Sequence, residues 1–202
     1  MRGVSRERVV GVVLAGGLSR RMNGLDKALM PFGEGVLLSR TLKRFAPQVE
    51  SVLLNANGDP ARFAGFHLPV IGDARRGYPG PLAGIEAGFL STGGEWLVSI
   101  PVDLPFLPLD LVARLVEVGM GCGLPTVAGS GGRMHPVVCL WPRSALPAIR
   151  KALDGGDLRM LAWFANHPHR TVWFDCPPGG VDPFFNVNHP EALAAATALA
   201  FP

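Results

Sequence analysis

Three cations, Arg20, Arg21 and Lys27, sit close together in the stretch Leu14-Ala15-Gly16-Gly17-Leu18-Ser19-Arg20-Arg21-Met22-Asn23-Gly24-Leu25-Asp26-Lys27, directly after the apolar run Val9-Val10-Gly11-Val12-Val13-Leu14. Glycine lets a backbone approach an anion closely and turn successive N–H groups toward it. Cations crowded in this way repel one another unless an anion lies among them. The chemistry implied is the cradling of a polyphosphate. The stretch carries neither the Gly-Lys-Ser/Thr triplet of a Walker loop nor the Gly-x-Gly-x-x-Gly of a dinucleotide fold. A third type of nucleotide site is therefore expected.

A carboxylate follows farther along, in Ser99-Ile100-Pro101-Val102-Asp103-Leu104-Pro105-Phe106, where an apolar run stops and two prolines restrict the backbone. Mg²⁺ takes hard oxygen ligands and commonly binds through one or two carboxylates plus substrate phosphates, so Asp103 is the candidate metal ligand. Asn55, in Leu54-Asn55-Ala56-Asn57, and Asp73, in Ile71-Gly72-Asp73, carry groups that can hydrogen-bond a base edge or a ribose hydroxyl. Tyr78-Pro79-Gly80-Pro81-Leu82-Ala83-Gly84 is a second ligand-facing loop: Gly80 permits close backbone contact with a planar base, and Pro81 opens a helix whose N-terminus favours anions. His135 before Pro136 is read as a structural histidine, and no Ser/His/Asp constellation is evident along the chain. Phosphoryl transfer fits that absence, because the substrate supplies the nucleophile and the protein positions charge.

The elements that must position these residues alternate in type. Val9–Leu14, Ser51–Asn55, Pro69–Gly72 and Trp96–Val102 read as strands, and Val36–Phe45, Pro81–Leu90 and Pro108–Val118 as helices, the last two started by proline. Strand–helix alternation predicts an α/β fold with a mostly parallel central sheet and helices on both faces. Ligands of open α/β sheets lie outside the carboxyl ends of the strands, so Gly16, Asn55, Asp73 and Asp103 should converge on one crevice. Leu124–Ala128 and Met134–Trp141, on either side of Gly129-Ser130-Gly131-Gly132, predict a hairpin as a small antiparallel element. Helices near Ser144–Leu153 and Asp157–Asn166 follow, then a strand at Arg170–Asp175 and an Ala-rich helix opened by Pro190 and Glu191.

Bulk properties narrow the partner class. At 202 residues and 48% hydrophobic content, residues 1–202 are expected to form one domain with a substantial core. A net charge of +3 is too small to imply nucleic acid, while local pairs such as Arg75-Arg76 suit a small anionic molecule. The 26 glycines and 19 prolines lie between apolar segments, which reads as many loops. Cys122, Cys139 and Cys176 are odd in number and widely spaced, so neither a disulfide framework nor a zinc site is indicated, and the buried core is the ordinary place for such thiols. The N-terminal arginines before Val9 have the outline of a signal peptide, but the apolar run has only strand length. A soluble cytoplasmic protein, with no membrane partner, is expected.

Taken in order, Leu14-Ala15-Gly16-Gly17, Arg21-Met22, Gly24, Asp26-Lys27, Asn55-Ala56-Asn57, Tyr78 to Gly84, Pro101-Val102-Asp103-Leu104-Pro105 and Asn186-Val187-Asn188 resemble the molybdenum cofactor guanylyltransferases, the MobA family, over nearly the whole chain. The resemblance implies a Rossmann-like nucleotidyltransferase fold. It implies transfer of GMP from Mg-GTP to the phosphate of molybdenum-molybdopterin, giving the guanine dinucleotide cofactor and pyrophosphate. By motif, Leu14, Ala15, Gly16, Gly17 and Lys27 would hold the GTP phosphates, and Arg21 would stabilise charge at the α-phosphate. Asn55 and Asp73 would bind the nucleoside, Gly80 would line the GTP site, and Asp103 would hold Mg²⁺. Asn186 and Asn188 would lie nearer the pterin. A GTP-binding adaptor, a molybdenum-inserting protein and recipient molybdoenzymes become plausible partners. Asn23 stands where the family usually has Gly, and His189 where a Thr or Ser cap is common. Base choice is set by loops that the sequence does not position, so a cytidylyl or sugar-1-phosphate nucleotidyltransferase stays open, as does a non-catalytic GTP-binding cofactor carrier.

Overall fold

The computed structural model describes residues 9–16, 26–75, 77, 80–176 and 179–201. Along the chain lie β1 (Val9–Leu14), β2 (Pro31–Phe32), β3 (Gly35–Val36), α1 (Leu37–Phe45), β4 (Ser51–Asn55), β5 (Val70–Ile71), α2 (Pro81–Ser91), β6 (Trp96–Pro101) and α3 (Leu111–Cys122). The second half adds β7 (Thr126–Ser130), β8 (Arg133–Pro142), α4 (Leu146–Asp154), α5 (Met160–Asn166), β9 (Arg170–Trp173) and α6 (Pro190–Ala200). A seven-stranded sheet has the order β5-β4-β1-β6-β8-β7-β9, and β2 and β3 form a separate two-stranded ribbon.

β1 is central because its residues, mostly Val, suit a strand covered on both faces. It pairs in parallel with β4, setting Leu14 beside Asn55, and with β6, setting Leu14 beside Pro101. Alternation of side chains then splits the core. Val9, Val13, Val98 and Ile100 pack with Leu38 and Phe45 of α1 and Leu111 and Leu115 of α3. Val10, Val12, Leu97 and Trp141 pack on the opposite face with Ile85 and Phe89 of α2, Ile149 of α4 and Trp163 of α5. Each fully buried side chain of this size contributes about 1.5–3 kcal/mol. Phe32, Leu37, Val187 and Ala196 form a third cluster that holds α6 against the β2–β3 ribbon.

Only β8 runs against the other strands of the main sheet, pairing antiparallel with both β6 and β7. The expected hairpin is thus built into the central sheet. Its turn is shorter than the four residues Gly129 to Gly132: Gly129 and Ser130 belong to β7, and Gly131 and Gly132 turn the chain with φ of 54° and 76°. Two successive positive φ angles match the twist of a two-residue hairpin, and glycine meets them without strain. The helix expected from Pro108 starts at Leu111, because Gln48 of the turn after α1 caps it from a distance: its Oε1 accepts from Val112 N–H at 3.0 Å while its Nε2 donates to Pro108 O at 2.8 Å. The helix expected from Asp157 starts at Met160. The β2–β3 ribbon lies where the sequence marked no element, and it takes Val36, from which a helix was expected, so that α1 starts at Leu37. Cys139 is buried, whereas Cys122 and Cys176 are exposed.

Candidate active site

The carboxyl ends of β1, β4, β5 and β6 share one edge of the sheet, and hydrogen bonds extend past the strand ends. Ala15 N–H donates to Asn55 O at 2.9 Å, and Val102 N–H donates to Leu14 O at 3.2 Å. The loop after β6 is clipped by α1. Thr41 Oγ1 donates to Val102 O at 2.8 Å, Arg40 Nε to Pro105 O at 3.1 Å and Arg44 Nε to Leu107 O at 2.6 Å. Asp103 therefore stands on a fixed backbone.

Asp103 is only 7% exposed and is surrounded by groups from distant parts of the chain. Lys27 Nζ donates to its Oδ2, Asn186 Nδ2 donates to its Oδ1 at 2.9 Å, and Val187 N–H donates to its carbonyl at 3.0 Å. The Lys27 ammonium also donates to Asn188 Oδ1 at 2.8 Å. An ammonium has three N–H donors, and among the described residues two are used, which leaves a third for an incoming anion. Lys27 is presented by a single 3₁₀ turn, Lys27–Leu29, whose N-cap Asp26 accepts from Ala28 N–H at 3.1 Å. Asn186 and Asn188, which the resemblance placed nearer a pterin, thus meet the Lys27–Asp103 pair directly.

Asn186 has a second feature. Its Oδ1 is buried and has no hydrogen-bond partner among the described residues. An orphaned amide oxygen costs about 1–3 kcal/mol of desolvation. Here it belongs to the same side chain that holds the Asp103 carboxylate. Among the described residues no group of three or more His, Cys, Asp and Glu could hold a metal ion. The donors present are one carboxylate, with about four acceptor positions of which two are used, and amide oxygen. Hard oxygen donors of this kind suit Mg²⁺ completed by substrate phosphates.

A second cluster lies beside Gly16. Asp73 accepts from Asn55 Nδ2 at 3.0 Å and from Asn57 Nδ2 at 2.7 Å, and its own N–H donates to Asn57 Oδ1 at 2.9 Å. Asn55, 3% exposed, is part of the wall that holds Asp73, while Asp73 and Asn57 are half-buried. α2 passes close to this wall. A Cβ at Gly84 would lie 2.4 Å from Asn55 Oδ1 and 2.6 Å from Leu14 Cδ2, so only glycine permits the approach. Gly80, with φ of 79°, caps α2 and Pro81 opens it. Gly17, Arg20, Arg21, Asn23, Arg76, Tyr78 and Pro79 lie outside the described residues.

Arg75, expected to suit an anionic ligand, is instead committed within the protein. Its Nε and Nη2 donate to Glu86 at 2.7 and 3.2 Å, and its Nη1 donates to Asp154 at 2.6 Å. Glu86 is 4% exposed on α2, and a buried carboxylate requires cationic partners. Hydrogen bonds from Arg75, and more weakly from Arg150, outweigh burial and hold its carboxyl below the usual range.

The structure also brings together Ser130, His135 and Asp182, which the sequence did not associate. Ser130 Oγ donates to Asp182 Oδ1 at 2.7 Å and lies 2.7 Å from His135 Nε2. The single hydroxyl proton is given to the carboxylate, so Nε2 donates to the hydroxyl oxygen. Serine stands between the other two, whereas a nucleophilic triad needs the histidine in the middle as base. This cluster is an anchor: Asp182 also accepts from Phe184 N–H at 2.8 Å and fixes the start of the segment that carries Asn186. His189 takes the cap position of α6, with Nδ1 accepting from Ala192 N–H at 3.3 Å.

Sequence reasoning missed Arg62. Its Nε donates to Asp26 Oδ2 at 2.7 Å and its Nη2 to Asn57 O at 2.7 Å, linking the two clusters. No local signal marks it, because both partners are set by tertiary structure.

Comparison with known proteins agrees with the fold. Residues 11–171 match the model of the MobA-like NTP transferase domain. The chain is 47% identical over 196 residues to a molybdenum cofactor guanylyltransferase of Rhodopseudomonas palustris strain BisB5, covering 94% of this chain and 92% of that one. It is 46% identical over 201 residues to a molybdenum cofactor guanylyltransferase of Mesorhizobium japonicum, covering 96% and 97%. The fold matches the crystal structure of molybdopterin-guanine dinucleotide biosynthesis protein A from Archaeoglobus fulgidus with a TM-score of 0.76 at 21% identity, covering 95% and 98% of the two chains. With a mostly parallel sheet, a cation–carboxylate cluster at its carboxyl edge and these relatives, the chain belongs to the MobA-like nucleotidyltransferases of molybdenum cofactor biosynthesis.

Proposed function

We propose that this enzyme transfers GMP from GTP to the phosphate of molybdenum-loaded molybdopterin, forming the guanine dinucleotide cofactor and releasing pyrophosphate. The observation that carries the reading is the cluster of Lys27, Asp103, Asn186 and Asn188 just past the carboxyl end of β6. In this reading residues 1–202 act as one nucleotidyltransferase domain. Leu14, Ala15, Gly16 and Gly17 bring backbone to the triphosphate, and the third N–H of Lys27 meets a phosphate oxygen. Arg21 adds charge at the α-phosphate. Asp73, braced by Asn55 and Asn57, meets the nucleoside, and Gly80 borders the GTP site. Asn188 aligns Lys27 while Asn186 aligns Asp103, on the side from which the pterin phosphate arrives.

Asp103, with the free Oδ1 of Asn186, would hold Mg²⁺, which neutralises phosphate charge when bound. The acceptor phosphate oxygen attacks the α-phosphorus in line, a new P–O bond forms, and the bond to the β-phosphate oxygen breaks as pyrophosphate leaves. No protein nucleophile is required. Lys27 and Arg21 offset the charge that builds on the leaving group, in a site where burial strengthens each interaction. Such a system would work in the cytoplasm, where GTP is supplied. No helix among the described residues is long and apolar enough to cross a membrane. A GTP-binding adaptor, a molybdenum-inserting protein and recipient molybdoenzymes are the partners that this product and substrate call for, and nucleic acid is not among them.

The test is product formation from purified protein, Mg²⁺ and molybdenum-loaded molybdopterin with GTP, CTP or ATP. Dinucleotide formed from GTP alone is expected. Preference for CTP would move the assignment to cytidylyl transfer, and GTP binding without turnover would indicate a carrier.

A further inference from the structure

We propose that Arg62 is a positioning residue that ties the phosphate-binding Lys27 to the nucleoside-binding Asp73 through Asn57, so that both ends of the nucleotide are gripped in register. The inference rests on the nucleotide-binding reading above. It stands on the use of one guanidinium by two separate segments. Arg62 Nε donates to Asp26 Oδ2, Nη2 donates to Asn57 O and Nη1 donates to Asp59 O, each at 2.7 Å.

Both anchored groups act one step from the ligand. Asp26 uses its other oxygen to cap the turn that begins with Lys27, so its orientation sets where the ammonium points. Asn57 uses its side chain on both the carboxylate and the N–H of Asp73. An isolated, half-exposed ion pair contributes little, which by itself gives no functional weight to the Arg62–Asp26 contact. Arg62 differs because its fork is fixed in place: Cζ lies 4.5 Å from the centroid of the Phe63 ring, and that ring is buried in the core. A planar group with N–H donors in fixed directions can bind three acceptors at once, and a lysine cannot reproduce that geometry.

The prediction concerns selectivity among nucleotides. GTP and GMP share the nucleoside and differ in the phosphates that Lys27 would meet. Loss of the tie should therefore shrink the ratio of GTP to GMP affinity more than it weakens GMP itself. Calorimetric titration of the full-length protein with GTP and with GMP in Mg²⁺, for wild type, Arg62→Ala, Arg62→Lys, Lys27→Ala and the double variant, reads this directly. In Arg62→Ala the ratio should fall about tenfold, the size of one charge-assisted contact. Arg62→Lys should recover only part of it. The loss in Arg62→Ala should largely vanish when Lys27 is already alanine, because the two residues act in series. A wild-type ratio retained in Arg62→Ala overturns the inference, as do independent losses in the double variant, which would make Arg62 a direct phosphate ligand. A wild-type protein that binds GTP no tighter than GMP overturns the nucleotide reading itself.

Discussion

Asn186 spans 83 positions of sequence to donate its amide Nδ2 to Asp103 Oδ1 at 2.9 Å, and the oxygen of the same amide is buried without a partner among the described residues. One side chain thus orients the Asp103 carboxylate and carries the oxygen proposed above as a second metal donor. Asn186→Ala removes both. Half-saturating Mg²⁺ for turnover should rise about tenfold, from loss of a hydrogen bond to a charged group. Metal titration of the reaction rate checks this, and an unchanged midpoint would separate Asn186 from the metal site.

Asp73 is the hub of the cluster proposed to meet the nucleoside, with both Asn55 and Asn57 donating to its carboxylate. Asp73→Ala takes the side-chain acceptor from half-buried Asn57 and leaves buried Asn55 Nδ2 only Ile71 O, at 3.4 Å. Nucleotide affinity should fall by about tenfold or more, and stability should fall by about 1–3 kcal/mol for the amide donors left poorly paired. Equilibrium binding of GTP measures it.

Gly84 lets α2 lie against Asn55 and Leu14 with no room for a methyl group. Asn55 is held by Asp73 and Leu14 by the core, so neither neighbour can yield easily. Gly84→Ala should destabilise the fold by about 1–3 kcal/mol in spite of the higher helix propensity of alanine. Denaturant unfolding reads the value. Wild-type stability in this variant would show that the helix can shift outward.

His135 gives the stability a defined pH dependence. Burial lowers its pKa from the ordinary 6.5, against the opposing charge of Asp182, so the folded protein favours the neutral ring. In the unfolded chain the ring takes up a proton near its ordinary value. Between that value and the lowered one the unfolded state binds more protons, and stability falls as the pH drops through this window. Thermal midpoints from pH 7.5 to about 5.5 should decline for the wild type and decline less for His135→Asn. Asp182 acts at lower pH. Burial raises its pKa, but hydrogen bonds from Phe184 N–H and Ser130, with the charges of His135 and Arg133, bring it below the carboxylate norm of 3.8. The stability that Asp182 supplies is complete above that norm and is lost as the pH falls through the lowered value.

The parts of this site legible in the sequence are those carried by strand ends. Asn55 closes β4, and Gly16, Asp73 and Asp103 follow β1, β5 and β6 by two residues, so a parallel sheet had to bring them to one edge. Asn186 and Asn188 were legible only through family resemblance, since nothing in their local pattern points to a carboxylate so far away in sequence. Arg62, the Gln48 cap of α3 and the Ser130–Asp182 anchor were not legible at all. Each is a polar side chain whose partner is chosen by packing. The misjudged role of Arg75 has the same origin: two adjacent arginines look free for an anion until α2 is found to place Glu86 beside one of them. The β2–β3 ribbon escaped because two-residue strands have no periodicity to read.

The central claim is that phosphoryl transfer takes place where Lys27, Asp103, Asn186 and Asn188 meet. Its most direct test is the rate of guanine dinucleotide formation by Asp103→Asn at saturating Mg²⁺, GTP and molybdenum-loaded molybdopterin, with circular dichroism to verify the fold. The account predicts a folded protein whose turnover falls at least about a hundredfold, the scale of losing one principal charge-stabilising group. Turnover at the wild-type rate in the folded variant would contradict it and place the reacting centre elsewhere.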